Sequence, residues 1–191
     1  PGYETINGAL GHGLGVAAGI ALALKNKTHN NKTNNPEFFP KINPVISNIS
    51  GELYSYFLYS QQSARPQPQE YKNPNAKVFV LLGDGELFEG SVWEAIMFAG
   101  HHKLNNLILI IDNNKVSMLG PARDIIDLNP LEEKFKMFNW KVKSVDGHNV
   151  EELQSVLMEF KQQEDNCPKV LIANTVKGKG VPQLENDPLC H

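Results

Sequence analysis

Asp84 stands between Gly83 and Gly85, and Asn114 closes the run Asp112-Asn113-Asn114; together they are residue types that hold a divalent cation against a diphosphate. Mg²⁺ and Ca²⁺ take hard oxygen ligands, and Mg²⁺ usually accepts one or two from protein side chains and the rest from phosphate and water. A carboxylate and an amide supply that number. A glycine on each side of the carboxylate leaves bare backbone that a diphosphate can approach closely. The plainer alternative makes Gly-Asp-Gly a turn and Asn114 a loop cap.

The elements around these residues predict that they meet. Residues 77 to 82, Lys-Val-Phe-Val-Leu-Leu, are a short apolar run with β-branched members, as expected of a buried parallel strand, with Gly83-Asp84-Gly85 at its carboxyl end. Residues 107 to 111, Leu-Ile-Leu-Ile-Ile, repeat the pattern directly before Asp112. Between them, Ser91-Val92-Trp93-Glu94 fits a capping box, and Val92, Ala95, Ile96 and Ala99 recur at helical spacing. A strand, a crossover helix and a second strand put Asp84 and Asn114 on one edge of a sheet, where open α/β folds bind ligands.

The pattern continues downstream with a helix over 130 to 139 and an alternating strand over 140 to 145. A helix capped by Asn149 follows, with Leu153, Val156, Leu157 and Phe160 as its stripe, and then a strand over Lys169 to Thr175. The fold class is therefore α/β, a parallel sheet with helices on both faces. The loop Val176-Lys177-Gly178-Lys179-Gly180 falls at the same carboxyl edge, where its lysines could meet a diphosphate or simply be solvated. Upstream, residues 8 to 25 carry Leu10, Leu14, Ala17, Ala21 and Leu24 on one helical stripe, interrupted by Gly11, Gly13, Gly15 and Gly19. Those glycines cost helix propensity unless close packing or a ligand requires them. Gly13 to Ala18 fits a relaxed dinucleotide fingerprint weakly, because no apolar strand precedes it and no partner acid follows at the required distance.

Composition sets bounds. With 191 residues, 41% of them hydrophobic, and a formal charge of −3, the chain can bury one core and has no pull toward nucleic acid. One domain is expected, with a polar, Asn-rich insert at about 26 to 75. Residues 26 to 35 contain no apolar side chain and read as a solvated loop or disordered insert. Residues 50 to 62 suggest a short helix with Leu53, Tyr56, Phe57 and Tyr59 on its apolar face. The sequon matches at Asn26, Asn31 and Asn48 are of the kind that Asn-rich tracts produce by chance. Cys167 and Cys190 are too few for a disulfide framework and read as free thiols of an intracellular, cytoplasmic protein. No apolar run approaches a membrane span, and no signal peptide is evident.

Residues 83 to 95, Gly-Asp-Gly-Glu-Leu-Phe-Glu-Gly-Ser-Val-Trp-Glu-Ala, with Asn114 downstream, closely resemble the thiamine diphosphate motif of the transketolase family. The likeness runs on through Phe-Ala-Gly-His-His-Lys-Leu-Asn-Asn-Leu at 98 to 107 and Val-Asp-Gly-His-Asn-Val-Glu-Glu-Leu at 145 to 153, and resumes at Thr-Val-Lys-Gly-Lys-Gly-Val, 175 to 181. Gly8-Ala9-Leu10-Gly11-His12-Gly13 resembles the family's Gly-Ser/Pro-Leu-Gly-Gln-Gly loop. The resemblance covers most of the chain outside about 26 to 75, and it favours the clamp over the turn.

The resemblance implies residue roles. Asp84 and Asn114 match the side-chain ligands of Mg²⁺ or Ca²⁺, and Val116 matches the residue whose main-chain carbonyl completes the set. Gly85 and Asn114 match diphosphate contacts. Gly8, Ala9 and Leu10 match the loop touching the diphosphate and the aminopyrimidine side. Lys177 and His191 match a lysine and a histidine near the diphosphate and reaction centre, with His191 in the catalytic role. Glu89 resembles a residue coupling two subunits across a dimer interface, whereas the capping box gives Glu94 a structural reason. His12 in place of glutamine, and Cys190 in place of a frequent tryptophan, depart from the family.

The activity implied is transfer of a two-carbon ketol unit from a ketose phosphate to an aldose phosphate, with sugar phosphates as substrates. In the family, the glutamate that activates the aminopyrimidine comes from a pyrimidine-binding domain or subunit donated by the other half of a dimer. That domain is absent from this sequence, which opens at Pro1 inside a continuous cofactor-binding segment and so reads as a piece of something longer. A homodimer or heterotetramer is implied for the complete enzyme, with no nucleic acid and no membrane. Alone, the chain should hold diphosphate and metal weakly or not at all and should not turn over. Alternatives are a deoxyxylulose phosphate synthase, a 2-oxo acid dehydrogenase component, or a non-catalytic assembly subunit of the same fold. Residues 86 to 95 look more like transketolase than either enzyme, and intact Asp84 and Asn114 argue against the last.

Overall fold

The computed structural model describes residues 11–30, 76–117 and 119–189, with the side chains of 27–30 left aside. The chain divides into two compact units, residues 1–25 with 75–191 and residues 26–74. Along the chain, α1 (Gly13–Asn30), of which the part up to Lys25 belongs to the first unit, precedes β1 (Val78–Gly83), a 3-10 turn (Asp84–Phe88), α2 (Gly90–His101) and β2 (Leu107–Asn113). A small hairpin of β3 (Val116–Ser117) and β4 (Gly120–Pro121) leads into α3 (Ala122–Ile125) and α4 (Leu131–Met137). Then come β5 (Lys141–Asp146), α5 (Val150–Gln162) and β6 (Lys169–Asn174).

Four strands form one sheet in the order β1-β2-β6-β5, parallel throughout. Its register is what builds the functional edge. Gly83 lies beside Asp112, Asp112 beside Ala173 and Ala173 beside Val145, so all four strands end within one residue of each other. Parallel strands covered on both faces need apolar side chains in both directions. Accordingly β2 is fully buried at Leu107, Ile108, Leu109 and Ile111, and β6 at Val170 and Leu171.

One face of the sheet packs against α1, α2 and α4 through Leu14, Ala17, Ala21, Val92, Ile96 and Phe135. The other packs against α5 through Val156 and Phe160, which meet Ile108 and Leu171. Helices on both faces are thus as expected, but β1 differs from its expectation of burial. Val78, Val80 and Leu82 join the first core, whereas Phe79 is 49% and Leu81 68% exposed among the described residues. The strand is the edge of the sheet formed by the described residues, and α5 sits over β5 and β6 rather than over β1.

Two helix starts contrast. Asn149 caps α5 as predicted, its Oδ1 accepting the Glu152 N–H at 3.1 Å. The capping box at Ser91–Glu94 is not formed: α2 begins at Gly90 with Glu89 at the N-cap position and no side-chain cap bond. Ser91 lies inside the first turn and its hydroxyl donates to the Gly11 carbonyl at 3.1 Å instead. Glu94 is exposed, so it lacks the structural reason the capping box had given it. The expected loop at 26 to 35 also needs correction in part, because α1 continues to Asn30. Once a helix is nucleated each further residue adds a hydrogen bond, and lysine costs little helix propensity. The remainder of that tract and the helix expected over 50 to 62 lie outside the described residues.

Trp140, 3% exposed, joins α2 to the start of β5 through a 2.9 Å bond from its Nε1 to the Ile96 carbonyl, and its ring meets Phe135 edge-on. Lys169 is fully buried and donates to the Asn105 and Gln163 carbonyls, both at 3.2 Å. Burial and the charge of Lys77 hold its amine below the usual lysine range. This cation lies at the amino end of the sheet, away from the edge that carries Asp84.

Candidate functional site

Asp84 leaves β1 at its carboxyl end, and the 3-10 turn swings it under the β2 exit, where it is 6% exposed. Opposite it, the chain leaving β2 makes a tight turn at Asn114, whose Oδ1 accepts the Val116 N–H at 2.9 Å. This Asx turn holds Lys115 at a φ of 65°, a conformation few side chains favour. The consequence is a backbone N–H aimed at the carboxylate: Lys115 N donates to Asp84 Oδ2 at 2.6 Å. The two residues singled out by sequence are thus joined through the residue between Asn114 and Val116.

Asp84 is poorly solvated as a lone charge. Its carboxyl is held above the usual carboxylate range chiefly by burial, with the nearby Asp112 charge adding to the effect and backbone N–H groups of Lys115 and Gly85 opposing it. A divalent cation would offset that penalty. Asp112 bonds the Thr175 hydroxyl and accepts from Asn114 Nδ2 at 3.3 Å. The amide of Asn114 is therefore oriented from both ends, and its Oδ1 keeps a second lone pair for a ligand.

Val116 pairs with Pro121 across the β3–β4 hairpin. The neighbouring ladder bond runs from Ala122 N to the Lys115 carbonyl at 2.9 Å, so Val116 and Pro121 form a pair without mutual hydrogen bonds. Val116 therefore turns its own N–H to Asn114 Oδ1 and its carbonyl away from the hairpin. Gly85 faces the same hairpin, and a Cβ there would lie 3.9 Å from Ser117 Cβ. Among the described residues no three His, Cys, Asp or Glu side chains gather into a metal cage. The donor set is one carboxylate, one amide and one free carbonyl, all hard oxygen, and it suits a cation that completes its shell with phosphate and water.

The loop after β6 arrives at the same edge. Thr175 N donates to the Asn113 carbonyl at 3.3 Å, and Val176 N to His148 Nε2 at 2.8 Å. Gly147 lets the β5 exit approach, since a Cβ there would lie 2.4 Å from Thr175 Cγ2. Lys177 stands in this loop, its Nζ donating to the Pro188 carbonyl at 3.3 Å. His12 is exposed just ahead of α1. Gly8, Ala9, Leu10, Cys190 and His191 lie outside the described residues.

Sequence reasoning missed the supporting residues: Asp112 and Thr175, which orient Asn114; Lys115, which bonds Asp84 through its backbone; and Glu86. Asp112 sits inside the motif already noted and was legible by position. Glu86 was not, since its Oε2 accepts the Gly11 N–H at 3.2 Å across a long sequence separation.

Comparison with known proteins gives this geometry a family. The family model described as "Transketolase, thiamine diphosphate binding domain" matches residues 58–191. The "6-deoxy-6-sulfo-D-fructose transketolase subunit SqwG" of Clostridium sp. (strain MSTE9) is 41% identical over 118 residues, 62% of this chain and 42% of that protein. An apulose-4-phosphate transketolase subunit of Actinobacillus succinogenes is 41% identical over 115 residues, 60% of this chain and 41% of its own length. Human transketolase is also 41% identical over 115 residues, but these are 18% of it. The chain thus spans well under half the length of these curated relatives. In solved structures, transketolase from Leishmania mexicana superposes with a TM-score of 0.67 at 26% identity, covering 94% of this chain and 22% of that one. A buried carboxylate and an Asx-turn asparagine at the carboxyl edge of a parallel sheet, within a sequence that the family model matches over most of its length, lead to one identification: the chain belongs to the transketolase family, through its thiamine diphosphate binding domain.

Proposed function

We propose that this chain is the metal- and diphosphate-holding part of a transketolase-type enzyme, one that moves a two-carbon ketol unit from a ketose phosphate to an aldose phosphate. Asp84 and Asn114, with the carbonyl of Val116, hold Mg²⁺ or Ca²⁺; Gly85 and Asn114 contact the diphosphate. Gly8, Ala9 and Leu10 line the cofactor side, and Lys177 and His191 serve the diphosphate and the reaction centre. Residues 26 to 75 are an insert within this single domain. The observation that supports the reading best is the Asp84 carboxylate, buried and bonded to the turn at Asn114.

Bound thiamine diphosphate supplies the carbon centre that carries the two-carbon unit. The chain's own work is to bind and orient. Asp112 and Thr175 keep the Asn114 oxygen turned outward, and Lys115 N–H fixes one carboxylate oxygen of Asp84, so the ligands are set before the cation arrives. The sugar substrates need not be those of human transketolase. Two relatives are named as subunits of transketolases for a sulfo-sugar and for apulose-4-phosphate, which supports a partner that is a separate pyrimidine-binding subunit. The assembly is then a homodimer of complete halves or a heterotetramer.

The test is ketol transfer from a phosphorylated ketose, with the chain alone and in the presence of a pyrimidine-binding subunit. We expect no turnover alone and Mg²⁺-dependent turnover once both are present. Equal rates with and without the second component would overturn the half-site reading.

A further inference from the structure

Gly11 is buried at a φ of 82°, and a Cβ there would lie 2.7 Å from Ser91 Oγ and 2.9 Å from Glu89 Cβ. Both of its backbone polar groups are taken by side chains from the Asp84 side of the fold. Its N–H donates to Glu86 Oε2 at 3.2 Å, and its carbonyl accepts from Ser91 Oγ at 3.1 Å. The other Glu86 oxygen, Oε1, accepts the Gly83 N–H at 3.3 Å. One carboxylate therefore bridges the end of β1 and the approach to α1, and its two acceptor atoms serve two separate backbone donors. Bonds in which the acceptor is ionised are the stronger ones, and neutral glutamine could satisfy only one of these donors.

We propose that Glu86 is a positioning residue for the cofactor site: with Ser91 it clamps Gly11, and so the amino end of α1, to the turn that carries Asp84. The proposal rests on the thiamine diphosphate reading above. Gly11 directly follows Gly8-Ala9-Leu10 in the sequence, so a fixed Gly11 fixes the point from which the cofactor loop departs. The clamp also bears on two local features. Gly11 is glycine because its φ is positive and because Ser91 Oγ, together with Glu89, leaves no room for a Cβ. Ser91 forgoes a cap because its hydroxyl is committed to Gly11. Glu86 contributes nothing to the metal in this account; it couples the metal-bearing turn to the loop.

Calorimetric titration of the full chain, mixed with a pyrimidine-binding subunit, by thiamine diphosphate at saturating Mg²⁺, alongside Mn²⁺ titration without cofactor, separates the two roles. Glu86→Ala should weaken cofactor binding about tenfold or more, and Glu86→Gln by less, since it keeps one acceptor. Mn²⁺ affinity should stay within about twofold in both, the margin expected if no ligand is lost. Glu86→Ala and Ser91→Ala together should cost less than the product of their separate effects, because both act through Gly11. Amide exchange at Gly11 should quicken in Glu86→Ala while β2 and β6 stay protected, which shows the variant folded.

Cofactor affinity unchanged in Glu86→Ala, equal losses of Mn²⁺ and cofactor, or fully multiplicative effects with Ser91→Ala would each overturn the proposal. If the parent chain shows no metal-dependent cofactor binding even with a pyrimidine-binding subunit present, or if Asp84→Ala then binds undiminished, the cofactor reading itself fails and takes the clamp with it. Loss in Asp84→Ala with none in Glu86→Ala removes the clamp alone.

Discussion

Asp84→Ala should weaken thiamine diphosphate binding at saturating Mg²⁺ by at least about a hundredfold, the upper end of what removing a mere outer-shell partner of a metal ligand costs. The residue supplies the charged ligand of the proposed set, and nothing else among the described residues gathers as a replacement cage. Asp84→Asn should fall in the same direction while keeping an acceptor for the Lys115 N–H. Stability should move the other way. A carboxyl whose native pKa is raised above its unfolded value destabilises the metal-free fold once the pH rises through that raised pKa. The penalty is absent below the unfolded carboxylate range. Without metal near neutral pH, Asp84→Asn should therefore melt no lower than the parent, as thermal circular dichroism would show. Loss of binding together with a lower melting temperature would point to unfolding instead of a lost ligand.

Gly100→Ala should destabilise the fold by about 2 kcal/mol or more. In a helix interior alanine is favoured over glycine by roughly 1 kcal/mol, a gain that is smaller at Gly100 in the last turn of α2. Overpacking a core costs about 1–3 kcal/mol and occasionally more. Here the collision decides, because a Cβ at Gly100 would lie 1.9 Å from the Phe138 carbonyl oxygen and 3.8 Å from Trp140 Cδ1. The first neighbour is backbone and has no rotamer to yield. Moving it would shift the turn in which Asn139, at a φ of 62°, leads from α4 into β5. At roughly 2–4 °C per kcal/mol for a domain of this size, a fall of at least about 4 °C is expected. Gly19→Ala serves as the control, because nothing lies within 4 Å of its Cβ position in α1. A Gly100→Ala melting temperature equal to the parent's would contradict this packing.

The sheet and its edge were largely legible because periodicity and local chemistry carry them. The apolar runs before Asp84 and Asn114 pair in parallel, and Asn149 caps its helix. Local patterns misled where a distant partner decided the outcome. Ser91-Val92-Trp93-Glu94 has capping-box spacing, yet the Ser91 hydroxyl bonds Gly11, a residue that no window around Ser91 contains. Glu86 lies in the motif, but its role depends on the same distant backbone. The Phe79 and Leu81 side of β1 reads as buried because an apolar strand looks the same at an edge as in the interior. At the site, Asp84 and Asn114 were legible as residue types. The turn that joins them through Lys115 was not, since a left-handed lysine leaves no compositional trace.

The central claim is that this chain binds thiamine diphosphate through a cation held by Asp84 and Asn114. Calorimetric titration of the full chain, mixed with a pyrimidine-binding subunit, by thiamine diphosphate with and without Mg²⁺ tests it most directly. The account predicts binding that strengthens at least about tenfold when Mg²⁺ is present, the linkage expected when the cation bridges protein and diphosphate. Binding of equal strength with and without the cation would contradict it.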